Sequence, residues 1–278
     1  MVQIKMKIIY FWKILMLSYS LSIRSNLLID SPLEQFNVVD LVSFNAPIFD
    51  YFNIALTNFA LYSLITLFLI LALHIYADNE NKLIPSKWSI SLEALFSTIN
   101  SMVRDQLGTR NESYLPFIYS LFLFILIANL IGLIPYNFTI TSSIILSIGF
   151  SFTIFIGVTI LSLYIHGLHF FSYFVPSGTP LALVPLLILI ELLSYVARAF
   201  SLGVRLFANI CAGHSLLKIL STFLYQMFSS SLIIAVLTLV PFTIFTALIG
   251  LELAVCLIQA IVFSILVSSY LKDAIDLH

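Results

Sequence analysis

Charge is what this sequence has least of. Asp, Glu, Lys and Arg make up 9% of its 278 residues, apolar types 61%, and the mean hydropathy is +1.10; soluble domains carry about 25% charged residues. From Ser113 to Ile165 there is not one formal charge. That deficit excludes a soluble globular domain and leaves a polytopic membrane protein. A net charge of −1 without a basic patch argues against nucleic acid as a partner. Cysteine is scarce too. Cys211 and Cys256 lie within apolar segments and read as small packing residues, so no disulfide, metal or cofactor is expected.

What is present is a succession of apolar runs. Residues 1–30 combine Lys5, Lys7, Lys13 and Arg24 with a short apolar core, the pattern of a leader cleaved near Asp30 or Ser31. Residues 31–278 then read as a single membrane domain. Spans are predicted at 51–75, 114–135 and 142–165. Between the first two, Ile90, Leu95, Phe96, Ile99, Val103 and Leu107 recur at three-to-four spacing among polar residues, which predicts an amphipathic surface helix over 87–108. The connection "HGLHFFSYFVPSGTP" is aromatic and suits the membrane interface.

Two segments remain, 181–226 and 230–272, with "MFSSS" as the expected turn. At about 1.5 Å per residue each reaches about 65 Å, twice the hydrocarbon thickness. Each either breaks into two spans or runs as one steeply tilted helix. The absence of proline between Pro185 and Pro241 favours two tilted helices in a hairpin. The predicted fold is therefore all-α, with five transmembrane helices and one surface helix. Lys82, Lys87, Arg104, Arg110 and Lys272 all fall on one side of such a topology, which places the surface helix and the C-terminus inside.

The polar residues of the last two segments are patterned. On a helical wheel at about 100° per residue, Glu191, Ser194, Arg198, Ser201, Asn209 and Ala212 lie within about 40° of Arg205. His214, Lys218, Ser221 and Tyr225 lie on the opposite face. On the second segment Glu252, Cys256, Gln259, Tyr270 and Asp273 share a face. Antiparallel register then predicts two clusters, Glu252 with His214 and Gln259, and Glu191 with Asp273 nearer the inside. A charge at the bilayer centre costs about 2.5–3.5 kcal/mol on insertion scales, so such residues pair with one another or mark an ion path. Lys218 alone is read as snorkelling to an interface. Carboxylates and histidine can load and release protons, whereas arginine stays charged. Arg205 can repel a cation passing between the clusters. It can also stabilise a carboxylate brought to about 4 Å by about 4 kcal/mol at an effective dielectric near 20.

The stretches "FILIANLIGLIPY", "FVPSGTPLALVPLL", "SYVARAFSLGVRLFANICAGH", "LELAVCLIQA" and "SYLKDAIDLH" resemble the subunit a family of F-type ATP synthases in its fungal mitochondrial form, over nearly the whole chain from "SPLEQF" onward. The resemblance implies a non-catalytic stator subunit of the mitochondrial inner membrane that conducts protons through two offset half-channels. Its implied partners are a rotating ring of c subunits, the peripheral stalk, other membrane-sector subunits and the bilayer. It maps the essential arginine onto Arg205, the second arginine onto Arg198 and the asparagine after the first onto Asn209. It also implies path residues at Gln259, Glu191 and Asp273, and two steeply tilted helices along the ring. Bacterial relatives carry a glutamate at the position of His214 and a histidine at that of Glu252; the exchange seen here resembles the mitochondrial arrangement.

Two rival readings are weaker. A secondary transporter would show internal repeats and broken helices, which this sequence lacks. A haem- or quinone-binding subunit would rest on His166 and His169, which fall in a loop beside Gly167 and Pro176.

Overall fold

The computed structural model describes Ser31 and residues 33–45, 53–77, 85–134, 137–175, 183–230 and 237–276. The leader predicted over residues 1–30 lies outside them. Residues up to Asn37 form one unit, whose described part is a 3-10 turn at Glu34–Phe36; residues from Val38 onward form the other.

The second unit opens with strands β1 (Asp40–Asn45) and β2 (Asn53–Thr57), paired antiparallel with Ser43 opposite Ala55. Helices follow: α1 (Asn58–Ala77), α2 (Lys87–Leu107), α3 (Leu115–Gly132), α4 (Ile144–His166), α5 (Val184–Ser230) and α6 (Leu239–Ile275). Five helical stretches among the described residues are long and apolar enough to cross a membrane. The protein is an all-α integral membrane protein with a minor hairpin.

That hairpin corrects the first span, predicted to begin at 51. The chain is extended up to Thr57, and Asn58 fixes the helix start. Its Oδ1 accepts the backbone N–H of Val39 at 3.2 Å and of Phe59 at 2.8 Å, and Thr57 Oγ1 accepts that of Ala60 at 3.3 Å. Donors at the helix start are thus met by side chains.

Helix α2 is capped at its start by Ser86, whose hydroxyl accepts the Ser89 N–H at 3.3 Å, and at its end by Gly108, where φ is +75°. Ile99, Val103 and Leu107 bury one ridge, while Trp88, Ile90 and Phe96 stay exposed. The ridge packs on α3 and α6 and shares a core with Leu271 and Ala274, so the surface helix and the C-terminal end of α6 belong to the same side of the molecule. Helix α3 runs through the middle, with Ile118, Phe122, Ile125 and Asn129 buried on several faces. Where α4 meets α5, a Cβ on Gly203 would lie 2.5 Å from Ser151 Oγ and 2.9 Å from both the Ile148 Cα and the Ser147 carbonyl. Glycine permits this close approach, the small-residue packing typical of helices in lipid.

Helix α5 is unbroken over 47 residues and α6 over 37, about 70 and 55 Å of helix. Neither fits an untilted path through about 30 Å of hydrocarbon. The expected turn at "MFSSS" is displaced. Met227 to Ser230 continue α5, and residues 231–236 are outside the described segments. Serine tolerates a helix interior better than glycine or proline does, so nothing in that stretch forces an end. Helix α6 starts at Leu239 after the N-cap residue Thr238, and Pro241 lies in its first turn, where its missing N–H removes no helical bond.

Candidate functional site

The polar residues of α5 and α6 meet in three layers. In the first, nearest the C-terminal end of α6, Arg198 reaches two acids. Its Nη2 is 3.3 Å from Glu191 Oε1, two turns earlier on α5, and its Nη1 is 3.3 Å from Asp273 Oδ2 on α6. Arg198 Nη1 also donates to the Tyr173 hydroxyl at 3.4 Å, and the Tyr270 hydroxyl donates to the Arg198 carbonyl at 3.4 Å. The two acids grouped by the sequence are therefore joined through an arginine. Tyr173 belongs to the 3-10 segment Gly167–Phe174, which begins at Gly167 with φ +58° and lays Phe170, Tyr173 and Phe174 against Tyr195 of α5.

In the middle layer Asn209 Nδ2 donates to Gln259 Oε1 at 2.8 Å. Gln259 is buried and pairs with Asn209, one layer away from the Glu252 cluster the wheel assigned it to. The third layer holds His214 and Glu252, with Nδ1 and Oε1 3.6 Å apart. Glu252 is 5% exposed, and neither carboxylate oxygen accepts a hydrogen bond among the described residues. Gly213 lies against it: a Cβ there would be 2.8 Å from Oε1. The polar stripe of α5 thus turns to its other face within five residues, from Asn209 to His214.

Arg205 stands between the first two layers. Its side chain is exposed and makes no hydrogen bond or salt bridge among the described residues. It faces a groove of about 500 Å³ that Ser194, Arg198, Ser201, Ser269 and Asp273 also line. A separate groove of about 250 Å³ is lined by Asn209, Gly213, Leu216, Leu248, Glu252 and Val255. The two grooves have no lining residue in common. Leu206 and Ile210 of α5 and Ala260 and Phe263 of α6, at intermediate positions along the two helices, are each no more than 1% exposed. Arg205 and Asn209, the nearest lining residues along α5, are one turn or about 6 Å apart.

Comparison with known proteins decides the family. The ATP synthase A chain family matches residues 60–272. This chain belongs to that family. It is 63% identical over 251 residues to ATP synthase subunit a of Mycosarcoma maydis, an alignment covering 90% of this chain and 99% of the relative. The corresponding protein of Emericella nidulans is 52% identical over 249 residues, 89% and 97% of the two chains. That of Wickerhamomyces canadensis is 47% identical over 255 residues, 91% and 100%. Membership makes the chain a non-catalytic membrane-sector subunit of a rotary ATPase, engaged in proton transport for ATP synthesis.

The histidines of the haem reading are placed as well. His166 Nε2 is 3.0 Å from the Ile275 carbonyl, tying the end of α4 to the end of α6. His169 Nδ1 is 2.7 Å from Ser172 Oγ. Each ring thus has a local polar contact. Sequence reasoning missed Tyr173 and the bridging role of Arg198. It also missed the contact between Gly213 and Glu252, although the adjacent small residues Ala212 and Gly213 were a usable signal.

Proposed function

We propose that this chain is the proton-conducting stator subunit of a mitochondrial ATP synthase, with two half-channels kept apart by Arg205. Protons enter past Glu252, His214, Asn209 and Gln259, transfer to a carboxylate on the neighbouring c ring, and leave through Glu191 and Asp273 with Arg198 between them. The observation that carries this reading is a pair of grooves without a common lining residue, the first lined by Arg205 and the second starting one turn further along α5 at Asn209.

The chemistry follows from residue type. Glu252 and His214 can each take up and give up a proton, and a side-chain rotation that shortens their 3.6 Å separation by under 1 Å would bring them within proton-transfer reach. Arg205 holds its charge under all physiological conditions and cannot relay. Exposed on the outer face of α5, it is available to an acid on another subunit, and near that acid it favours the ionised, proton-releasing form. Each charge that falls through 100 mV contributes about 2.3 kcal/mol toward rotation.

Orientation is proposed on the same basis. Arg104, Arg110 and Lys272 lie within three residues of Val103, Leu107 and Leu271, where α2 packs on α6, and basic residues mark the side from which a membrane protein inserts. The C-terminus and α2 then face the matrix of a multi-pass inner-membrane protein. The surroundings are the c ring, the peripheral stalk, other membrane-sector subunits and lipid.

Site-directed disulfide trapping in the intact complex tests the reading. Cysteines at Ser201 or Ala208, both exposed beside Arg205, should cross-link to a cysteine placed near the ring carboxylate, with Cys211 and Cys256 replaced by serine. Cross-links formed only with stalk subunits would overturn the placement of Arg205 against the ring.

A further inference from the structure

Against the Arg198–Asp273 pair lies a second, small and partly enclosed cavity between α4, α5, α6 and the 3-10 segment. Ser162, Tyr173, Tyr195, Arg198, Tyr270 and Asp273 line its polar part. It leaves about 20 Å³ for the centre of a water-sized sphere. One water needs about 10–15 Å³ on that measure, together with two to four polar partners, so the cavity suits one water. Arg198, Tyr270 and Asp273 line both this cavity and the larger groove, and form the wall between them.

Ser162 provides the independent sign of a ligand. Hydroxyls in membrane helices ordinarily bond back to a carbonyl one turn earlier, and α4 follows that rule elsewhere. Ser151 donates to the Ile148 carbonyl at 2.9 Å, Thr153 donates to that of Phe150 at 2.8 Å, and Thr159 donates to that of Phe155. Ser162 is 1% exposed, and its Oγ has no hydrogen-bond partner among the described residues. A hydroxyl withdrawn from water and left unmatched is costly, so its position on the cavity wall calls for a polar occupant.

We propose that the cavity binds one structural water, hydrogen-bonded to Ser162 Oγ and to the Asp273 carboxylate, that supports proton release at Asp273. The proposal rests on the reading of Asp273 as part of the outward path. Arg198 approaches Asp273 from one side at 3.3 Å, and a water on the other side supplies the donor that a half-buried carboxylate needs once its proton has gone. Ser162 acts through that water and is a positioning residue.

A high-resolution density map of the intact wild-type complex is the variant-free test: a discrete peak between Ser162 and Asp273 is expected, and a featureless cavity overturns the proposal. In reconstituted complexes Ser162→Val, which fills the space and removes the hydroxyl, should slow passive proton flux by roughly 2- to 10-fold, the factor equivalent to one net hydrogen bond. Ser162→Thr, which has the shape of valine but keeps the hydroxyl, should be slowed less than Ser162→Val, and equal slowing by the two overturns the part given to the hydroxyl. Should Ser162→Val fail to assemble, Ser162→Ala serves in its place with the same slowing expected. Unchanged flux in these variants overturns the proposal if Asp273→Asn is slow; unchanged flux in Asp273→Asn as well overturns the outward path itself.

Discussion

Gly213 of α5 lies against the Glu252 carboxylate of α6, where a methyl group on its Cα would stand 2.8 Å from Oε1 and 3.2 Å from the carboxyl carbon. Because Glu252 is the far end of a flexible side chain, Gly213→Ala would displace the carboxylate while leaving the backbones in place. Passive proton flux should fall with little loss of assembled complex. Flux measured against the amount of assembled subunit separates that outcome from simple misfolding.

Glu252 itself should be more sensitive. Glu252→Gln preserves volume and removes the titratable group from a buried position beside His214. Proton flux through the membrane sector, measured with a pH-sensitive dye in vesicles, should drop by about two orders of magnitude, the lower end of the 10²–10⁴-fold contributed by a positioned acid–base group. An unchanged rate would place the inward path elsewhere.

The hydrogen bond between Asn209 and Gln259 fixes the register of the two long helices at the level where the second groove starts. Interhelical hydrogen bonds in membranes average about 0.6 kcal/mol. A double-mutant cycle with Asn209→Ala and Gln259→Ala should therefore return a coupling of about that size in detergent stability. Either change should perturb proton flux more than thermal stability.

How far these features could be read from sequence depends on how local they are. The surface helix was legible, because Ile99, Val103 and Leu107 declare their buried ridge by spacing alone. So were the five apolar spans and the polar stripe through Glu191, Arg198, Arg205 and Asn209. The β1–β2 hairpin was not, since pairing Ser43 with Ala55 is a choice between distant residues that apolar composition conceals. The end of α5 was misplaced because serines do not forbid a helix. Arg198 lay on the stripe, but its contacts with both Glu191 and Asp273 depend on how α6 crosses α5, which a wheel of one helix does not contain. Tyr173 reaches Arg198 only through the fold of an irregular segment. The unmatched Ser162 could be found only once its neighbours had been placed.

Arg198 joins two acids at 3.3 Å each while remaining about one-third exposed. Lysine cannot reproduce the two-sided reach of a guanidinium. Arg198→Lys should thus slow proton release with nearly normal assembly, and Arg198→Ala should slow it further. Rates of ATP-driven pumping in reconstituted vesicles will show that ordering, and equal rates for lysine and arginine would argue that charge alone matters there.

The most direct measurement is the coupling of proton flux to ATP turnover in vesicles carrying Arg205→Ala, a change that takes nothing from the core because the side chain is exposed. If Arg205 keeps the two grooves apart, the variant assembles, synthesises no ATP, and leaks protons passively when a potential is imposed. Normal ATP-driven pumping with wild-type coupling in that variant would contradict the account.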